Sequence, residues 1–419
     1  MKNQGNLWMA ALLGSLALTP FTTRAFDSGS TGTNGALLVT NTLTPTIVPL
    51  PSDGVFNYTT ITVNSNCTLK FTPNGLNTPV YLLAQSDIVI NGTIDVSGQD
   101  GQTNGYTTIP GPGGFSGGAA GTPTTNPVIP PGRGQGPGGG LVPSASGGSG
   151  GSFGTAGFGN NSTYGNLLLV PMLGGSGGAG MLGNATLAGA SGGAGGGGIL
   201  LASSTSVAVN GLVQARGGRS VVAVGASGGG SGGGVRLVAP TISVAGAIDV
   251  SGGTNNYFNP AGGGDNGLGG LSYGGNGRVR IDAATPLGFN PKVIGNTRAG
   301  APIVSYGHSL FVFPPNRPQL YFVNAAGTPI PAGTNNAVYI SLPAGSSTNQ
   351  TVTLRGTNFL GTLPVTIIAT PATGPVFSTN IVLNFPALNA LVETNVIITV
   401  APFNNACQLN AYAKYGVSP

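Results

Sequence analysis

Charge is scarce in this chain. Charged residues make up 5% of the 419, and the 14 basic side chains face only 9 acidic ones. Glutamate occurs once, at Glu393, and between Gly101 and Ala215 the only charged side chain is Arg133. So thin and dispersed an excess of positive charge excludes a nucleic-acid footprint, despite a sequence pI near 9.3. The single histidine, His308, restricts any Ser/His/Asp triad to one base, and it sits in Ser305-Tyr-Gly-His-Ser309 with no acid nearby in sequence. It reads as a packing or solvated side chain. The two cysteines, Cys67 and Cys407, are too far apart for a disulfide framework, and neither has the Cys/His neighbourhood of a zinc site. They read as small buried hydrophobes, the alternative being an exposed thiol that pairs between molecules. No cofactor and no metal site are expected.

Residues 1–25 read as a secretory leader. Lys2 supplies the positive start, Leu7 to Phe21 the apolar stretch, and Thr23 and Ala25 the small residues before a cut at Phe26. Gly14 and Pro20 interrupt that stretch, and no later apolar run reaches the ~18 residues of a spanning helix. No cysteine follows the leader to carry a lipid anchor. Expected localisation is therefore secreted or cell-surface, with no transmembrane span in the mature chain. Without Lys2 and Arg24, 12 basic and 9 acidic residues remain, a net charge of +3. Disorder combines low hydrophobicity with high charge; a mean hydropathy of +0.23 and so few charges are the opposite.

Glycine is abundant and localised. Of 77 glycines, 58 lie between Gly98 and Arg278, so the excess belongs to one region. That region is punctuated by segments that align on a central glycine. The first runs Ile88-x-Ile90-x-Gly92-x-Ile94-x-Val96-x-Gly98. The second runs Val207-x-Val209-x-Gly211-x-Val213-x-Ala215-x-Gly217, and the third Ile242-x-Val244-x-Gly246-x-Ile248-x-Val250-x-Gly252. An aliphatic-x-aliphatic segment precedes each, starting at Val80, Ile199 and Val235. Period-2 alternation in such short runs predicts half-buried strands, three to a repeat of about 19 residues. One repeat cannot bury its aliphatic face alone, but stacked repeats close a core. Ile61, Val63, Cys67, Leu69 and Phe71 supply an earlier repeat, with residues 55–60 as a cap. Arg278 to Ala283 begins a last one that fades at Pro286.

The glycine runs occupy one place in the repeat, after the closing Val/Ala-x-Gly. They form insertions at about 99–198, 219–234 and 254–277, expected to leave at one corner and to lie side by side. Glycine strands without side chains can approach closely and hydrogen-bond. Tyr106, Phe115, Phe153, Phe158, Tyr164, Tyr257, Phe258 and Tyr273 read as anchors pinning these insertions, or as stacking platforms for glycans. After Pro314 glycine thins, and seven candidate strands follow at 320–323, 337–342, 351–355, 364–369, 380–385, 394–400 and 408–414. Seven strands in about 100 residues suggest an immunoglobulin-like β-sandwich.

The aligned repeats resemble those of glycine-rich secreted bacterial parallel β-helix proteins, such as autotransporter passengers and filamentous-haemagglutinin-like adhesins. The stretch Gly356-Thr-Asn-Phe359 is weakly similar to the start of IPT/TIG-type sandwich domains. These resemblances imply an all-β chain: a 26–54 N-terminal segment and cap, a parallel β-helix over 55–313 and a β-sandwich over 314–419. About 100 C-terminal residues are too few for a translocating barrel with many strands. The implied role is structural or adhesive, with cell-envelope or extracellular polysaccharide, or other surface proteins, as partners.

The same solenoid also serves enzymes, so a carbohydrate-active enzyme or a glycan-binding module is the alternative. The weak catalytic candidates are Asp95, Asp249 and Arg216. Both acids occupy the same slot, Ile-Asp-Val-Ser-Gly, and are expected to point outward on one face, two repeats and ~10 Å apart. That overlaps the carboxyl separation of an inverting glycosidase. Two acids and one arginine are few for a catalytic constellation. A structural Asp, Gln214, Asp ladder offset by Arg216 explains them more simply.

Overall fold

A computed structural model describes residues 26–413 except 104, 123–129, 142–146, 185–187, 222–224, 255–271, 285–289, 314–317, 331–337, 360, 372–374, 388–389 and 403–405. The leader, Asp265, Tyr257 and Phe258 lie outside the described residues.

The alternating segments form short parallel strands that visit three sheets in turn. The chain passes through β1 (Leu37–Val39), β2 (Thr46–Pro49) and β3 (Val55–Tyr58), then β4 (Ile61–Val63), β5 (Thr68–Thr72) and β6 (Val80–Ala84). It continues through β7 (Ile88–Ile90), β8 (Thr93–Asp95), β9 (Gly198–Ser203), β10 (Ser206–Val209), β11 (Leu212–Gln214) and β12 (Gly234–Ala239). Last come β13 (Thr241–Val244), β14 (Ala247–Asp249), β15 (Arg278–Ala283), β16 (Lys292–Ile294) and β17 (Ile303–Gly307). The first sheet is ordered β1-β4-β7-β10-β13, the second β16-β14-β11-β8-β5-β2, and the third β17-β15-β12-β9-β6-β3.

Register follows the aligned sequence. Ile94 pairs with Val213 and Val213 with Ile248 in the second sheet; Ile199 lies between Val80 and Val235 in the third. The inward aliphatics of all three sheets make one core, including Ile61, Ile88, Ile94, Leu201, Val213, Leu237 and Ile248, all fully buried. Burying each such side chain contributes roughly 1.5–3 kcal/mol, so neighbouring repeats stabilise one another.

Three features differ from the sequence reading. Leu37–Val39 and Thr46–Pro49 are sheet strands, and 55–58 pairs with β6 instead of capping it. The repeat does not fade at Pro286: β16 pairs with β14, and β17 with β15. At both ends the strands are short or mixed in polarity, so alternation is a weak signal there. Third, the third sheet is buried on both faces, with β6, β9 and β12 buried at every position. Its outer face carries Tyr81, Leu83, Leu200, Ala202 and Val238, packed with Phe153, Tyr164, Leu169, Met172 and Val312.

The glycine-rich segments leave between the second and third sheets, after β8, β11 and β14, and their described residues form no named β-strand. Their backbone hydrogen bonds recur every third residue. The amides of Phe115, Gly118 and Gly121 donate to the carbonyls of Gly175, Gly178 and Met181 at 3.0, 2.9 and 3.1 Å. Those of Gly193 and Gly196 donate to Gly228 and Ser231, both at 2.9 Å, and those of Gly175 and Gly178 to Gly196 and Gly193 at 2.7 and 2.9 Å. A three-residue period belongs to extended helices of the polyproline II type, not to a pleated strand. The run around Gly175–Met181 bonds to segments around Gly118, Gln135, Gly193 and Ser231, so its neighbours surround it instead of flanking it in a plane.

Such lateral packing admits no side chain where two backbones touch. A Cβ on Gly195 would collide with the Gly175 carbonyl, one on Gly230 with the Ala194 carbonyl, and one on Gly253 with the Gly218 carbonyl. Aromatic residues fasten this bundle. Phe153 is fully buried against Tyr164 with ring centroids 4.7 Å apart, Phe158 meets Tyr273 at 5.9 Å, and Phe115 meets Tyr412 edge-on at 5.5 Å. Tyr106, by contrast, is 73% exposed and anchors nothing.

The C-terminal part is antiparallel. The seven expected strands are present as β18 (Gln319–Ala325), β20 (Val338–Ile340), β21 (Asn349–Thr357), β22 (Gly361–Pro371), β23 (Phe377–Phe385), β24 (Leu391–Thr399) and β25 (Cys407–Ala413). A short β19 (Thr328–Pro329) adds to them. They form sheets ordered β19-β18-β21-β24 and β20-β25-β22-β23, around a core that includes Val352, Leu354, Leu363, Val365, Leu383 and Cys407. Cys67 and Cys407 are both buried, each in a different core.

Candidate functional site

Asp95 ends β8 and Asp249 ends β14. Gln214 ends β11 between them, paired with both. Ile94 and Ile248 turn inward, so the aspartates point away from the core, but neither is open: each is 8% exposed. Asp95 Oδ1 accepts from the Ser97 amide at 2.9 Å, and Asp249 Oδ1 from the Ser251 amide at 3.0 Å. This i to i+2 bond is an Asx-type turn, and it bends the chain from strand into the glycine bundle. The Ile-Asp-Val-Ser-Gly repeat thus has a local reason to recur: each copy braces the same corner.

The other carboxylate oxygens face cations. Lys70 Nζ lies 2.7 Å from Asp95 Oδ2, with Lys70 pairing directly beside Asp95 in the sheet. Arg216 Nε lies 3.6 Å from Asp249 Oδ2, an ion pair without a hydrogen bond. Burial pushes the Asp95 carboxyl up, but the bonds from Lys70 and Ser97 outweigh it and hold the group below its ordinary value. An acid stabilised as its anion is a poor proton donor near neutrality. Lys70 was legible as an alternating residue of its strand, but only the register puts it beside Asp95.

Arg216 and Asp249 also line a surface cleft of about 350 Å³ with Arg219, Ser251, Thr254 and Asn296. Asp95 does not line it, so the two sequence candidates share a ladder but not a cavity. His308 sits apart, its Nδ1 2.7 Å from the Ala283 carbonyl.

Sequence reasoning missed the most buried charges. Arg236, Arg280 and Asp282 project from β12 and β15 onto the outer face of the third sheet. Asp282 takes Arg236 on Oδ2 at 3.0 Å and Arg280 on Oδ1 at 2.6 Å. Arg236 also donates to the Ser309 carbonyl at 3.3 Å and lies 4.6 Å over the Phe311 ring. Burial pulls the Arg236 guanidinium below its usual value, partly offset by Asp282. The available signal was charge in so uncharged a chain, with Arg236 and Arg280 in the slot that elsewhere carries Tyr81 and Leu200 and Asp282 in the slot of Leu83 and Ala202.

Among the described residues no cluster of three or more His, Cys, Asp or Glu could hold a metal, and no helix is long and apolar enough to cross a membrane. Comparisons with protein-family models, curated proteins and solved structures give no match.

Proposed function

We propose that this is a secreted or cell-surface protein of structural or adhesive role, without catalytic activity. On this reading the three parallel sheets are a β-helix solenoid, the glycine-rich insertions a rigid bundle along one edge, and the C-terminal sheets an immunoglobulin-like sandwich starting near residue 314. The leader would be removed after Ala25 by a bacterial export pathway. One observation carries the non-catalytic part: each recurrent carboxylate is occupied by its own corner amide and a neighbouring cation. Asp95 and Asp249 therefore share no cavity among the described residues. The near absence of charge on the bundle suits a rigid spacer better than an electrostatically steered enzyme.

The test has two arms. Antibody labelling of intact source cells should stain the surface or the medium, and a purely internal location would overturn the reading. Purified mature chain incubated with neutral and acidic polysaccharides should release neither reducing ends nor unsaturated products. Release that is abolished by Asp249→Asn or Asp95→Asn would establish the carbohydrate-active enzyme instead.

A further inference from the structure

We propose that the cleft between the parallel body and the C-terminal sheets binds an uncharged oligosaccharide, a proposal that rests on the non-catalytic, adhesive reading above. The cleft has a volume of about 540 Å³, within the ~300–1,000 Å³ of small-ligand sites, which favour junctions between structural units. One wall comes from the loop before β6 and from the glycine-rich segment, the other from β18 and β25.

Its chemistry is selective. Tyr321, Tyr412 and Phe115 provide aromatic surface, while Asn77, Gln319 and Asn410 stand among them. Asp53 is the only charged residue in the lining, and no lysine, arginine or histidine is present among the described residues there. Arg355 stands behind the lining, donating to the Tyr321 hydroxyl at 3.5 Å and lying 5.8 Å from its ring while paired with Glu393, so the lining itself offers an anionic glycan or phosphorylated ligand no countercharge. An acyl chain would offer no partner to the Asn77 carbonyl oxygen or to the Gln319 amide. Pyranose rings combine apolar C–H faces with hydroxyl edges that both donate and accept. Aromatic side chains match the faces, and primary amides, which donate and accept, match the edges.

The walls are held in place before any ligand arrives. Asn77 donates to the Gly114 carbonyl at 2.8 Å, which leaves its carbonyl oxygen to accept. Asn410 donates to Gln135 at 3.1 Å, across the junction, and the Phe115–Tyr412 contact spans it as well. A preorganised site loses less ordering entropy on binding.

Calorimetric titration of the mature chain tests this with neutral hexasaccharides of the glucan, chitin, mannan and xylan series, against hexagalacturonate and decaproline. At least one neutral hexasaccharide should bind, about tenfold or more tighter than either comparator. Tyr321→Ala, Gln319→Ala (an exposed side chain) and the cleft-filling Leu76→Trp should each weaken it about tenfold or more. Hydrogen exchange should slow at 319–322 and 408–413 when the sugar is present. No neutral binding, tighter binding of hexagalacturonate or decaproline, or undiminished binding in Gln319→Ala and Leu76→Trp overturns the site. Surface labelling and the degradation assay are independent of that outcome, so failure of the site and failure of the adhesive reading are distinguishable.

Discussion

Asp282 and Arg236 form a fully buried ion pair, Oδ2 to Nη2 at 3.0 Å, on the outer face of the third parallel sheet. Asp282 also accepts the Ser309 amide at 3.2 Å, while Arg236 lies over Phe311. The pair therefore ties the segment leaving β17 to the parallel body. Breaking a buried pair from one side leaves an uncompensated charge, and here two guanidinium groups share a single carboxylate. Asp282→Ala should lower unfolding free energy by about 3–5 kcal/mol, read from urea denaturation. Asp282→Ala combined with Arg236→Leu and Arg280→Leu should recover much of that loss, because apolar replacement of a whole buried charge group is often neutral, whereas the double variant that keeps Arg280 leaves its guanidinium buried without a carboxylate.

The glycine bundle gives a prediction of another kind. Gly230→Ala and Gly195→Ala place a Cβ against a neighbouring carbonyl, and backbone cannot step aside as a side-chain tip can. Each should cost about 1–3 kcal/mol in the same denaturation experiment. A floppy insertion would show no change.

Phe153 tests whether the bundle is fastened to the sheet. Its ring is fully buried, packs on Tyr164 and lies 5.7 Å from the Arg278 guanidinium. Phe153→Ala should cost about 3–5 kcal/mol and hasten proteolytic nicking within 99–198, with cut sites mapped by mass spectrometry.

Asp95 sets a pH dependence. Its folded carboxyl titrates below the ordinary value, so its contribution is full above the unfolded pKa of about 3.9 and is lost as pH falls through the folded value. Stability should therefore fall as pH drops below about 4, and Asp95→Asn should flatten that fall while costing about 1 kcal/mol at pH 7, since Lys70 is partly exposed. Urea midpoints at pH 3 to 7 for both proteins check the sign.

Much of the fold was legible because the repeat carries two signals at once, period-2 aliphatics and a glycine at each corner. Ile94, Val213 and Ile248 could be aligned from sequence and are neighbours in one sheet. Leu37–Val39 and Lys292–Ile294 were not legible, since edge strands bury one face incompletely and carry polar residues where inner strands carry aliphatics. The inward alternation of β12 and β15 was also visible, but not that Arg236 and Asp282 opposite it are covered by another layer. At the corner slot the sequence placed Asp95 and Asp249 in equivalent positions but left them open to solvent. Their cations sit on adjacent repeats, 25 residues before Asp95 and 33 before Asp249, and pairing register alone brings them together.

Amide hydrogen exchange tests the account's central claim, that the glycine-rich insertions form an ordered hydrogen-bonded bundle. The amides of Gly175, Gly178, Gly193, Gly196 and Gly232, each bonded to a backbone carbonyl of another segment, should exchange as slowly as those of Leu201 and Leu237 in the core strands. Rapid exchange throughout 174–198 and 228–234, beside protected core strands, would contradict it.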